Sequence, residues 1–195
     1  MEELREKANI YAEENTVNVL KEAFAKVYSD GYRDGYKDCE EKIPIDLCEN
    51  QTEYVDLGLP SGTLWASDYE KDDEEDYLYL PYCQTSDLML PTEEQWNELL
   101  NCCEWQGDYS SSRMSLYGVT CIGPNGNSIR FRSKGYVEGN ATIGIPYYGG
   151  GEVYFWLFDN EEGNKKKAVC VRGEIKEIKK LFSGCKVPVR LVKTE

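Results

Sequence analysis

Apolar residues in the first fifth of the chain recur at helical spacing. Leu20 and Phe24 stand four positions apart, and Val27 and Tyr28 follow Phe24 at three and four, the repeat of one buried helix face. The pattern then tightens into a four-residue repeat, YSDG-YRDG-YKDC, which sets Tyr28, Tyr32 and Tyr36 along the same stripe. Gly31 and Gly35 lie beside it. Each costs about 1 kcal/mol in a helix interior, so close approach of another helix is expected to offset them. The spacing predicts a helix over residues 2–42. Its stripe of Leu20, Phe24, Val27, Tyr28, Tyr32 and Tyr36 would pack on the chain's own globular part or join copies into an oligomer. Pro44 closes the helix, and residues 42–51 read as a linker. The expected organisation is a helical extension over 1–50 and a second domain over 51–195.

From Thr52 onward the helical period gives way to short strands, glycine-rich turns and one helix. That helix opens at Pro91, with Thr92 and Gln95 at capping-box spacing and Trp96, Leu99, Leu100 and Cys103 on one face. Residues 153–158, 167–171, 174–178 and 186–192 read as strands, with Arg172 and Gly173 as a hairpin turn between the second and third. Alternation along 153–158 would put Val153, Phe155 and Leu157 on one face and Tyr154, Trp156 and Phe158 on the other. This mixture predicts an α+β domain behind an N-terminal α-helical extension.

Composition narrows the chemistry. The 195 residues include no histidine, which removes His-dependent triads, imidazole acid–base work and His metal sites. The net charge of −14 is uneven: residues 1–50 carry −6, residues 51–110 carry −14 and residues 111–195 carry +6. A phosphate backbone is repelled by such a chain at long range, so no nucleic-acid partner is expected. No apolar run approaches the ~18 residues of a membrane span, so no membrane insertion is expected. Residues 1–14 lack the apolar stretch of a signal peptide, which points to the cytoplasm or a phage virion. The eight cysteines, at 39, 48, 83, 102, 103, 121, 170 and 185, contain no CxxC pair and read as reduced, buried, small apolar side chains.

Three stretches remain as candidate chemistry. The run EKDDEED over 70–76 lacks the alternation and the glycine of a calcium loop and reads as a solvated acidic loop. Gly149, Gly150 and Gly151 are followed by no helix that could cradle phosphate and read as a turn. The segment IPYYGGGEVYFWLF over 145–158 is the most aromatic, and one of its faces is a candidate for the exposed aromatics that anchor interfaces. No cysteine has a histidine partner and no serine lies in GxSxG, so no catalytic residue, metal or cofactor is expected.

The run YVDLGLPSGTLWA over 54–66 resembles the opening of a paralogous domain family common in gut-bacterial proteins, written DLGLPSGxxWA. Three further blocks agree in order. Leu90-Pro91-Thr92 through Trp96, Leu99 and Leu100 is similar to the family's LPTxxEWxELL helix. GPNGNSI over 123–129, followed by Gly135 and Tyr136, is similar to its GPNGNSIxLPxxGYR segment. GCKVPVRLV over 184–192 resembles a stretched form of its closing GxSVRxV. The resemblance covers about 53–192 and implies a C-type-lectin-like fold, shared with formylglycine-generating enzymes and with the variable proteins of diversity-generating retroelements. It also implies a ligand-binding face in the last third, where residues 140–164 occupy the comparable region. The chain departs from the family in having YFWLF at 154–158 where YWSS is usual. The EPN, QPD and WND signatures of calcium-dependent sugar binding are absent, and Cys170 and Cys185 are too far apart in sequence for the close pair of the oxidases.

The expected function is a non-enzymatic ligand-binding module, an adhesin or receptor-binding head that is phage-borne or retroelement-diversified. It would contact a protein or glycan through Tyr147, Tyr148, Tyr154, Trp156, Asp159, Asn160 and Asn164. The alternative is an assembly protein whose helix drives homo-oligomerisation while the head caps it.

Overall fold

The computed structural model describes Lys21, Glu22 and Lys26 within the first 51 residues, and beyond them residues 52–72, 76–112, 114–146 and 150–194. Two units separate along the chain, Met1–Glu41 and Lys42–Glu195. Lys21, Glu22 and Lys26 are helical and exposed. The expected oligomerisation stripe, Leu20, Phe24, Val27, Tyr28, Tyr32 and Tyr36, lies outside the described residues.

In chain order the second unit begins with strands β1 (Tyr54–Asp56), β2 (Thr63–Ala66) and β3 (Tyr79–Leu80), then helix α1 (Glu93–Cys102). Strands β4 (Glu104–Tyr109), β5 (Leu116–Ile122), β6 (Ser128–Arg132), β7 (Tyr136–Glu138) and β8 (Ala141–Ile143) come next. The chain closes with β9 (Val153–Trp156), β10 (Lys165–Arg172), β11 (Ile175–Phe182), β12 (Val187–Pro188) and β13 (Val192–Thr194). They form small antiparallel sheets in the orders β1-β2-β13, β4-β5-β6, β11-β10-β9, β12-β3 and β7-β8.

Strand therefore dominates the described residues, with α1 their one long helical element at ten residues. This corrects the expected fold class, an α+β, C-type-lectin-like domain with an N-terminal α-helical extension: the described residues are mostly β-sheet. The physical reason lies in β4 to β8. The sequences of β4, β7 and β8, such as EWQGDY and YVE, are short or broken by glycine and charge and expose much of their length, whereas β5 and β6 bury Leu116, Val119, Cys121, Ile129 and Phe131.

Helix α1 forms where its capping chemistry places it. The Thr92 hydroxyl accepts from the Gln95 amide at 3.2 Å, and the Gln95 side chain accepts from the Thr92 amide at 2.9 Å. Trp96 and Leu99 are buried, and Leu100 and Cys103 pack against the same cluster. The Asn125 and Asn127 side chains both donate to the Asp56 carbonyl, tying the turn before β6 to β1. Gly123 makes that approach possible, because a Cβ there would fall 2.1 Å from the Leu57 carbonyl oxygen.

The core is two apolar clusters that share β9. Val153, Phe155 and Leu157 enter one with Trp65, Trp96 and Phe131. Tyr154 and Trp156 enter the other with Leu80, Val187 and Val189. The alternation expected over 153–157 is present, and both faces are interior, as a near-continuous apolar run implies for a strand covered on two sides. Burying Phe155 on Phe131, with stacked rings 5.4 Å apart, is the kind of contact whose deletion costs about 3–5 kcal/mol.

Candidate functional site

With both faces of β9 buried, the first described residue after this strand to reach solvent is Phe158. The Leu157 amide still donates to the Lys167 carbonyl at 3.0 Å, as a continuing strand would. One residue later the path turns: the Phe158 amide donates to the Pro91 carbonyl at 2.8 Å, and the Phe158 ring points outward, 54% exposed. Phe158 therefore does not share the interior face of Tyr154 and Trp156, which corrects the expected grouping.

Asp159 organises the loop. Its side chain is interior, accepting from the Glu161 amide at 2.9 Å and from the Lys167 amide at 3.0 Å. Its own amide donates to the Tyr82 hydroxyl at 2.6 Å, and that hydroxyl donates back to the Asp159 carbonyl at 2.9 Å. Burial raises the Tyr82 phenol, which keeps its proton and so keeps both roles. Tyr82 itself is held edge-on to Trp156 at 5.5 Å, with the Lys166 ammonium 5.2 Å above its ring. The loop is thus anchored to the second apolar cluster.

Its rim is ionic. Glu161 meets the Lys167 ammonium at 3.0 Å and the Lys180 ammonium at 2.6 Å, while its carbonyl accepts from Lys166. The two lysines hold the Glu161 carboxyl down to about 2. Lys167 also reaches Glu93 at the start of α1, at 3.1 Å.

The expected contact residues therefore separate. Tyr147 and Tyr148 lie outside the described residues. Tyr154 and Trp156 are buried, and as contact residues they are corrected: β10 lies beside β9 and the second cluster covers their side chains, with the Trp156 indole donating to the Leu80 carbonyl at 2.8 Å. Asp159 is buried and shapes the loop instead of facing outward. Asn160 is exposed, and Asn164 is half-buried, with its carbonyl accepting from the Ser183 amide. Sequence reading missed Tyr82, which stands 77 positions from Asp159, and the lysines of the rim. Clustered lysines after an aromatic run were the available signal for the latter.

A second polar group lies behind β9. The Tyr154 hydroxyl donates to Glu152 at 2.9 Å and accepts from Lys179 at 3.4 Å, beside the Cys170 thiol. Burial raises the thiols of Cys103, Cys121 and Cys170, and pushes that of Cys185 up to about 11. Such thiols stay protonated at neutral pH and are poor nucleophiles. Cys83 is disulfide-bonded, which corrects the expectation of uniformly reduced thiols, whereas Cys102, Cys103, Cys121, Cys170 and Cys185 are free. Among the described residues no group of three or more Cys, Asp and Glu side chains is placed to hold a metal ion. None of their helices is long and apolar enough to cross a membrane.

No protein-family model, no curated protein and no solved structure matches the chain.

Proposed function

We propose that this domain is a ligand-binding module whose contact surface is the loop between β9 and β10, with Phe158 and Asn160 as its first contacts. The observation that carries this reading is an exposed aromatic and an exposed amide flanking Asp159, whose buried carboxylate fixes the loop through two backbone amides. A loop fixed before it meets a ligand loses little conformational entropy on binding, and a rigid aromatic beside an adaptable polar group is a recurring paratope pair. The ligand is a protein or glycan surface. Phe158 supplies apolar area, and Asn160 supplies both a donor and an acceptor.

The test is a parallel screen of the full chain and its Phe158→Ala and Asn160→Ala variants against arrayed glycans and purified surface proteins. The reading expects at least one probe held by the parent chain and weakened by roughly tenfold or more in Phe158→Ala, as for a central aromatic anchor. Probes that bind all three chains equally, or no bound probe at all, would contradict it.

A further inference from the structure

Strand β11 is the edge of its sheet. Among the described residues no strand pairs with the side of it that faces away from β10. Apart from the turn bond from the Cys185 amide to the Phe182 carbonyl, no described backbone group outside the sheet bonds to it. This edge is eight residues long, IKEIKKLF, and exposes Ile175 and Phe182 at its two ends, at 49% and 42%. A long open edge with apolar ends can template another strand unless charge opposes it.

The charge here is selective. One face of β11 carries Lys176, Ile178, Lys180 and Phe182 in alternation, with Lys176 over the Trp105 ring at 5.3 Å and Ile178 packed on the core. A second copy of the chain joining antiparallel about Ile178 would set Lys176 against Lys180 twice. Joining about Lys179 would set that lysine against its own copy. Like charges directly opposite one another destabilise a strand pair. The register about Ile178 opposes like charges on the face of Lys176 and Lys180, while its other face would set Glu177 against Lys179. The lysines of the first face favour a strand that brings carboxylates.

We propose that the outer edge of β11 receives an extended acidic segment of a partner protein as an added strand. Main-chain hydrogen bonds along 175–182 supply the binding, and the side chains supply the choice. Opposite Lys176 and Lys180 the segment carries Asp or Glu, and opposite Ile178 and Phe182 it carries apolar residues, so acids and apolar residues alternate at every second position. This surface shares Lys180 with the rim of the loop after β9, where it pairs with Glu161, but it includes neither Phe158 nor Asn160 and stands or falls independently of them.

The experiment titrates the full chain with the peptide Val-Thr-Glu-Thr-Val-Thr-Glu-Thr, blocked at both ends, and tracks amide hydrogen exchange by residue. Slowed exchange at alternate amides of 175–182 is the expected result. A peptide with Lys in place of Glu, and one N-methylated at alternate amides, are each expected to bind about tenfold more weakly or worse. Lys176→Glu, which leaves the ion pairs of the loop intact, is expected to weaken the parent peptide about fivefold. The proposal is overturned by absence of protection over 175–182, by binding that survives N-methylation, or by heparin binding the chain where the peptide does not. Concentration-dependent dimers that pair through 175–182 would also overturn it, because the edge would then serve a second copy.

Discussion

Arg190 shows how much a single residue can decide. It is a charged side chain within the run KVPVRLV, and it is fully buried. It donates to the carbonyls of Ala66 and Arg130, and its guanidinium carbon lies 4.6 Å from the rings of both Tyr69 and Phe131. Burial lowers its pKa, while Tyr69, Asp68 and Glu70 act the other way. Arg190→Ala leaves two carbonyls unpaired inside a cavity, so urea unfolding is expected to show a loss of about 3–5 kcal/mol. Arg190→Met, which refills the volume, should lose clearly less. Cys185 offers a second check at this scale. With its thiol near about 11, iodoacetamide at pH 7.5 should spare it in the folded chain and label it after denaturation, as mass spectrometry would show. The burial expected of the cysteines is present at Cys185. The Tyr82–Asp159 pair joins residues 77 positions apart and leaves no mark in the local sequence.

Elements were legible where local chemistry determines them. The capping box located α1, and Thr92→Ala is expected to cost about 1 kcal/mol in thermal or urea unfolding. The hairpin between β10 and β11 was visible through Gly173, whose φ of 60° is the sign that tight hairpin turns require at their first central position. The strands on either side run further than expected, to Lys165 and Phe182, because lysine-rich ends look like loop in sequence but pair across the sheet. The expected strand over 186–192 divides into β12 and β13, and Arg190 turns inward between them. Strands β4, β7 and β8 carry little apolar period, and pairing between short segments holds them in sheets. Strand β6, SIRFR, does alternate, with Ile129 and Phe131 inward.

At the scale of the whole molecule, an aromatic strand lies inside and an anchored loop faces out. The aromatic density over 145–158 falls on β9, which lies inside the fold. It could not show which rings face solvent, because the covering strand β10 and the residues of the second cluster come from elsewhere in the chain. Acidification should release the loop before the core. With Glu161 held near about 2 in the folded chain and near about 4.3 when its partners are lost, its contribution is complete above about pH 4.5 and disappears as the pH falls towards 2. These pairs are exposed, so the effect on global stability is small. The signature is faster amide exchange over 157–166 below about pH 4 while β9 stays protected, with Glu161→Gln flattening the dependence. The central claim, that Trp156 is scaffold and Phe158 is surface, is tested most directly by Trp156→Ala and Phe158→Ala in one urea series. Trp156→Ala is expected to lose about 3–5 kcal/mol and Phe158→Ala to remain within about 0.5 kcal/mol of the parent chain. Equal losses, or a larger loss in Phe158→Ala, would contradict it.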